Sequence, residues 1–329
     1  MPAEKKLKNK LIIILGPTAT GKTKLAIKLA KLFKTEIISA DSRQVYQGMD
    51  VGTGKDLKEY TIKKTRKQKN KKAKKQESKK TIPYHLIDVA SPKKRFALAQ
   101  YQKLAYQAID KILEQNKIPF LVGGTGLYLQ AIIDNYQLTD VKPDLKLRKI
   151  LDKKSLKELQ ALIKKYNLVL NQSDFNNKRR LIRRIEIRVA KKQENKKLKK
   201  QGNKKIISLP KYESLILGLT LPKKELDKKI DLRLKQRLKK EGLIEEVKKL
   251  NKQGLSWKKL EEFGLEYRLV SQYLQNKISY EEMAEKLAIA IHQFAKRQMT
   301  WFKRDQRIIW LKDFNQAKNL IKSFINQRS

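Results

Sequence analysis

The alternation of apolar and polar positions changes character near residue 140. Before that point, short apolar runs alternate with segments of helical period. Leu11-Ile12-Ile13-Ile14-Leu15 has the length of a buried strand, and residues 36–40, 85–89 and 119–123 read the same way. Between the first two, residues 22–33 place Leu25, Ala26, Leu29, Ala30 and Phe33 on one helical face; residues 97–115 and 127–135 are further helices. Strand and helix in alternation predict a parallel sheet with helices on its faces.

From Asp144 onward the strand signals stop. Helical spacing predicts helices over 145–154, 155–166, 178–192, 223–241, 243–252, 256–263, 267–274, 279–305 and 315–326. One exception is the apolar stretch from Tyr212 to Leu219, which ends before Pro222 and predicts a strand near 215–219 that returns to the sheet. The predicted class is therefore α/β, a parallel sheet core with a helical insertion domain and a helical C-terminal region; the glycine loop Gly16–Thr23, G-x-x-x-x-G-K-[ST] between the first strand and the first helix, makes that core P-loop NTPase-like. Its expected limits are 1–143 for the core, 144–205 for an insertion projecting from it, and 206–329 for the return to the core and the C-terminal helices. Lys63 to Lys80 is nearly all Lys, Arg, Gln and Asn, cannot bury a core, and predicts a disordered loop over about 61–81.

Charge adds a partner class. There are 79 Lys and Arg against 33 Asp and Glu, a net charge of +46. Phosphates bound by such cations release counterions, so a polyanion is the expected partner. Lysine is spread along the whole chain, however, so part of the charge is compositional. Cysteine is absent, which excludes disulfides, thiolate catalysis and Cys-ligated zinc. With only His85 and His292, a multi-histidine metal site is not expected. No apolar run approaches the roughly 20 residues of a membrane span, and the run at Leu11–Leu15 is too short for the core of a signal peptide. A soluble, cytoplasmic protein is expected.

The chemistry concentrates where predicted strands end. Gly16-Pro17-Thr18-Ala19-Thr20-Gly21-Lys22-Thr23 matches G-x-x-x-x-G-K-[ST], with a strand before it and a helix after it. Loop amides and the helix N-terminus form an anion cradle, Lys22 adds charge, and the Thr23 hydroxyl is placed to hold Mg2+. The motif alone does not say which phosphate it holds. Asp41, with Ser42, Arg43 and Gln44, follows the second strand, and ligands of open parallel sheets bind beyond such ends. A carboxylate there can hold Mg2+ through water, act as a general base, or cap the following turn. Asp88, in the predicted strand 85–89, is the more conventional carboxylate for holding the metal through water. Gly123-Gly124-Thr125-Gly126 ends the fourth strand and permits close backbone approach. In the helical region, Arg179, Arg180, Arg183 and Arg184 form one basic face, with Leu181, Ile182 and Ile185 on the packed side.

Taken in order, these residues resemble the tRNA dimethylallyltransferase family. The glycine loop is followed by Asp41-Ser42-Arg43-Gln44-Val45-Tyr46, Met49-Asp50-Val51-Gly52-Thr53 and Pro83-Tyr84-His85-Leu86-Ile87-Asp88. Then come Leu121–Tyr128, Asn177–Glu186, Phe263–Arg268 and Ala295–Phe302. The set covers nearly the whole chain and is far more specific than the glycine loop alone.

The resemblance implies transfer of a dimethylallyl group from dimethylallyl diphosphate to N6 of the adenosine next to the anticodon, in tRNAs that read codons starting with U. It implies that the glycine loop holds the donor's diphosphate with Mg2+, that Asp41 is the general base, and that Thr23 and Arg233 serve the leaving group. It assigns tRNA contacts to Asp41, Ser42, Arg43, Gln44, Thr125, Arg148, Arg179, Arg180, Leu181, Ile182 and Arg183, and to Phe263, Gly264, Leu265, Glu266, Tyr267 and Arg268. A monomer is expected.

The chain departs from the family pattern in four places. The lysine-rich loop is longer, and Gly52-Thr53-Gly54-Lys55-Asp56 replaces the commoner Gly-Thr-Ala-Lys-Pro. Lys229 stands where many members carry arginine, and Glu266 is inserted in the commoner Gly-Tyr pattern. Two alternatives stay open at this point. A small-molecule P-loop kinase needs only Lys22, Thr23 and Asp88, but not a long basic helical region. An adenylate isopentenyltransferase acting on free nucleotide would lack the 295–302 segment and the insertion.

Overall fold

The computed structural model describes residues 9–64, 78–138, 141, 143–170, 172–197 and 210–327. The chain separates into two compact units, Met1–Tyr136 with Leu209–Ser329, and Gln137–Ser208.

The strands are β1 (Lys10–Leu15), β2 (Ile37–Ala40), β3 (Thr61–Lys64), β4 (Ser78–Thr81), β5 (Tyr84–His85), β6 (Phe120–Gly123), β7 (Glu213–Gly218) and β8 (Ile309–Trp310). The helices of the first half are α1 (Lys22–Phe33), α2 (Leu98–Glu114) and α3 (Gly126–Ile133). They are followed by α4 (Leu145–Asp152), α5 (Leu156–Lys165), α6 (Gln172–Phe175) and α7 (Lys178–Lys197). The C-terminal series is α8 (Lys223–Lys239), α9 (Leu243–Lys252), α10 (Trp257–Glu262), α11 (Leu265–Leu274), α12 (Tyr280–Phe302) and α13 (Phe314–Asn326).

Six strands form one parallel sheet in the order β5-β2-β6-β1-β7-β8. The pleat sends alternate side chains to opposite faces, so each apolar run serves two cores. Leu11, Ile13 and Leu15 join one core with residues of α2, α3 and α8 to α12; Ile12 and Ile14 join the other with residues of α1 and α13. Burial on both faces explains why these strands read as continuous apolar runs rather than alternating ones. Polar side chains start several helices: Ser256, Ser279 and Asp313 each accept a hydrogen bond from a first-turn amide.

β7 joins the sheet beside β1, as residues 215–219 predict. The expected strand 85–89 is cut to Tyr84–His85, because Leu86 and Asp88 take left-handed backbone conformations (φ 66° and 58°). Leu86 and Ile87 are still buried on opposite sides of the sheet, which is what made the segment read as a strand. The ends of the expected disordered loop are instead an antiparallel pair, with Thr61 opposite Thr81 and Lys64 opposite Ser78. A backbone ladder needs no apolar side chains to form. Residues 65–77, the rest of that loop, lie outside the described residues. β8 was not anticipated.

The second unit is helical. Leu151, Leu159, Ile163, Leu181, Ile182 and Ile185 form its core. Beside them Glu186, 1% exposed, accepts from Arg148 Nε and Nη2 at 2.9 and 2.8 Å, from Arg183, and from the Asp144 amide. Burial alone would raise the Glu186 carboxyl, but the hydrogen bonds from Arg148 and Arg183 outweigh it and hold the group below the usual carboxylate range. Among the described residues, no helix is long and apolar enough to cross a membrane.

Candidate active site

Three strand ends meet on one edge of the first unit. β1 leads into the glycine loop, β2 into Asp41, and β6 into Gly124 and Thr125. Leu15 and Ala40 are both level with Gly123, so the three loops open side by side. The glycine loop and Asp41 are then two strand spacings apart, about 10 Å. They border a cleft of about 640 Å³ whose lining includes Thr18, Lys22, Thr23, Asp41, Gln44 and Arg233.

Lys22 Nζ donates to the Pro17 carbonyl at 3.0 Å. Burial pulls its ammonium down to about pKa 8; the Asp41 carboxylate works against this shift and the Arg233 guanidinium adds to it. The Thr23 hydroxyl has no hydrogen-bond partner among the described residues. Gly16, Pro17, Thr20 and Gly21 shape the loop rather than line the cleft, with Thr20 Oγ1 donating to the Pro17 carbonyl at 2.8 Å.

Asp41 takes the capping role open from sequence and keeps a second oxygen unpaired among the described residues. Its Oδ1 accepts from the amides of Arg43 (2.8 Å) and Gln44 (3.3 Å) and caps that turn. Its Oδ2 has no hydrogen-bond partner among the described residues, which leaves one oxygen able to receive a proton. The neighbours of Asp41 are tightly held. The Ser42 amide donates to Thr125 Oγ1 at 3.0 Å, Gln44 Nε2 to the Gly54 carbonyl at 3.1 Å, and Ser39 Oγ to Gln44 Oε1 at 3.0 Å. The Arg43 guanidinium stands over the Phe263 ring, 5.5 Å from its centroid.

Loop 49–56 forms a further wall. The Glu246 carboxylate accepts from the amides of Asp50, Val51 and Gly52 at 2.6–3.0 Å and from the Tyr267 hydroxyl at 2.7 Å. Arg233 pairs with Asp56 at 2.7 Å. One helical turn further on, buried Arg237 pairs with buried Glu266 at 3.1 Å. Gly54, at φ 63°, lies against both guanidinium ends, which would have to move aside for a Cβ. Burial lowers Arg237 and raises Glu266, and the charge of each opposes the shift of the other. Lys229, which stands where many family members carry arginine, is paired with Glu225 outside the cleft lining, and Arg237 is the guanidinium that lines the cleft beside Arg233. Its position four residues after Arg233 was the available signal for it.

Asp88 is placed differently from its sequence reading. The chain leaves the ladder at His85, Asp88 is not among the cleft residues, and its carboxylate pairs with the ammonium of buried Lys55, as does that of Asp50. It is the counter-ion of a buried amine rather than a carboxylate beside the glycine loop. Gln298, Arg297 and Trp301 of α12 line the cleft without having been singled out as site residues.

The IPP transferase family model matches residues 44–305, and an isopentenyl transferase model matches residues 9–70. The chain belongs to the tRNA dimethylallyltransferase family. It is 44% identical to tRNA dimethylallyltransferase 1 of Syntrophus aciditrophicus (strain SB) over 319 residues, 95% of this chain and 97% of that protein. It is 43% identical to tRNA dimethylallyltransferase 2 of Treponema denticola, over 91% of this chain and 93% of that protein. Among solved structures, the tRNA isopentenylpyrophosphate transferase of Bacillus halodurans superposes with a TM-score of 0.66 at 31% identity, over 97% of this chain and 96% of that one. The fold of this chain is thus P-loop NTPase-like, and tRNA enzymes are favoured over the free-nucleotide alternative.

The positions assigned to tRNA contact fall into distinct environments. Phe263, Gly264, Leu265, Glu266 and Arg268 line the cleft, whereas Tyr267 is 1% exposed and packs in the core beside Phe263. Arg148, Arg179, Arg180, Leu181, Ile182 and Arg183 belong to the helical unit. There Leu181 and Ile182 are core side chains, and Arg148 and Arg183 are bound to Glu186, so these four build the unit rather than form an open surface. Arg179, Arg184 and Arg188 are exposed, as is Arg180, which pairs with Asp174.

Proposed function

We propose that this tRNA dimethylallyltransferase moves the dimethylallyl group of dimethylallyl diphosphate to N6 of the adenosine next to the anticodon, in tRNAs that read codons starting with U. The observation that carries the reading is the pairing, across one cleft, of an anion cradle with a carboxylate that keeps one oxygen open. As the N6–C1 bond forms, the C1–O bond to diphosphate breaks and its electron pair leaves on the diphosphate. The N6 proton passes to Asp41 Oδ2. N6 is a weak nucleophile because its lone pair is delocalised into the ring, so proton removal in the transition state contributes directly to rate. Lys22, Arg233 and the loop amides stabilise the charge growing on the leaving group.

Among the described residues, no cluster of three His, Cys, Asp or Glu could hold a metal by itself. The unpartnered Thr23 hydroxyl at the start of α1 fits a divalent cation whose remaining oxygens come from the diphosphate. Mg2+ held there would supply further neutralisation of the leaving group.

A stacked base cannot present N6 to the donor, so the adenine is extruded into the cleft beside Ser42, Arg43, Gln44 and Thr125. The exposed arginines of α7, with Arg268 and Arg297 at the cleft, supply phosphate contacts. A cytoplasmic location belongs to the same proposal. The test is mass spectrometry of nucleosides from unmodified tRNA after incubation with dimethylallyl diphosphate and Mg2+. N6-dimethylallyladenosine is the expected product; its absence, or ADP formed from ATP in step with any modification, would overturn the reading.

A further inference from the structure

The Ala295–Phe302 segment of α12 lines the cleft with Arg297, Gln298 and Trp301. At its centre Gln298, 8% exposed, reaches both glycine loops of the cleft. Its Oε1 accepts from the Thr18 amide at 2.9 Å, and its Nε2 donates to the Gly124 carbonyl at 2.8 Å. Gly124 makes room for it, since a Cβ at that position would lie 2.5 Å from Gln298 Nε2. The connection continues through the next residue, because Thr125 Oγ1 accepts from the Ser42 amide at 3.0 Å, and Ser42 adjoins Asp41. One carboxamide thus bridges the loop of Lys22 and, through the middle strand end, the turn that carries Asp41. Thr18 needs an acceptor and Gly124 needs a donor, and the carboxamide of Gln298 offers both on one planar group.

We propose that Gln298 is a positioning residue that sets the separation and orientation of the two halves of the cleft, through Thr18 and Gly124. The inference rests on the prenyl-transfer reading above, in which a diphosphate occupies one half and an adenine the other. Displacement at C1 requires the reacting atoms to be held about 3–3.5 Å apart and in line, so slack between the halves costs rate before it costs binding. Gln298 removes that slack.

Two variants separate this role from simple support of the fold. Gln298→Glu keeps an acceptor for the Thr18 amide and sets an oxygen against the Gly124 carbonyl. Gln298→Met keeps the volume and loses both bonds. The measurements are Tm, affinity for inorganic pyrophosphate, single-turnover transfer, and amide hydrogen exchange over residues 121–128 with and without pyrophosphate. Both variants are expected to transfer about ten- to a hundredfold more slowly, the scale of one to two lost buried hydrogen bonds. Gln298→Met is expected to bind pyrophosphate as the wild type does, and in both variants pyrophosphate no longer slows exchange over 121–128. Wild-type transfer rates, a rate loss that merely follows weaker pyrophosphate binding, or unchanged exchange coupling would each overturn the role. If the wild type transfers nothing, the proposed reaction fails, while the exchange measurement still decides whether Gln298 couples the loops.

Discussion

Lys22 makes donor binding depend on pH in a direction that can be worked out. In the empty cleft its ammonium is pulled down to about pKa 8, chiefly by burial. A bound diphosphate places anionic charge beside it and favours the protonated form, so binding above that pKa must take up a proton. Below about pH 8 the amine is already charged and affinity is flat with respect to this group. Above it, the charged fraction falls roughly tenfold per pH unit. With a pKa of about 8 in the free protein, that fraction drops about 25-fold between about pH 7.5 and about pH 9.5. The donor contributes little in this window, since a terminal phosphate loses its last proton near about pH 6. The assay is titration calorimetry of dimethylallyl diphosphate without tRNA across this range, in two buffers of different ionisation enthalpy so that proton uptake is counted. Affinity should weaken by roughly that 25-fold factor, with uptake rising towards one proton. Lys22→Arg, which stays charged throughout, should bind with little pH dependence. A wild-type affinity unchanged across the range would refute the argument.

Three further outcomes follow from single contacts. Asp41→Asn keeps the oxygen that caps the Arg43 and Gln44 amides but removes the proton acceptor, so transfer should fall by about 10²–10⁴ with donor and tRNA binding intact; a variant that turns over normally would reduce Asp41 to a cap. Glu186→Gln leaves Arg148 and Arg183 without their counter-charge and should cost about 2–3 kcal/mol in urea unfolding, below the figure for fully buried pairs because both arginines are part-exposed. Since the Glu186 carboxyl is held low, its contribution is present above the usual carboxylate range and is lost as pH falls through the folded-state value, so wild type and variant should converge in acid. Arg179→Ala with Arg184→Ala should weaken tRNA binding and lower the slope of log affinity against log salt by about one per arginine, whereas Arg183→Ala should chiefly lower stability.

The sheet and most helices were legible because burial on both faces leaves continuous apolar runs, as in Leu11–Leu15, and because α1 and α9 carry clean helical spacing. The strand 85–89 misled for an instructive reason. Leu86 and Ile87 are buried on alternate sides, as in a strand, but positive φ at Leu86 and Asp88 takes their backbone out of the ladder. Periodicity reports burial, not hydrogen bonding. In the site, Lys22, Thr23 and Asp41 were legible because a short motif or a strand end fixes their place. Arg237 and Gln298 were not, because their meaning depends on partners far away in sequence: Glu266 on α11 for one, Thr18 and Gly124 for the other. The same limit applies to α7, whose arginines look alike in sequence. Only the position of Glu186 separates Arg183, which is bound inward, from Arg179 and Arg184, which face water.

Carboxylates are scarce in this chain, 33 against 79 cations, and the places where they are buried or shared are informative. Glu246 gathers three amides and the Tyr267 hydroxyl to hold one wall of the cleft. Asp50 and Asp88 share the Lys55 ammonium, Glu266 meets Arg237, and Glu186 meets two arginines. Removing Glu246, Glu266 or Glu186 would leave a set of amides or a cation without its partner, a cost that falls on the folded state alone. The surplus of like charge is self-repelling, which lowers stability in dilute salt and favours a polyanion. One physical division therefore follows from the proposed function. Arginines paired with buried acids hold the cleft wall and the helical unit, while the exposed ones on α7 and at the cleft are those proposed to supply affinity for RNA. Substitutions of the two kinds should be distinguishable by whether they move the unfolding midpoint or the salt slope.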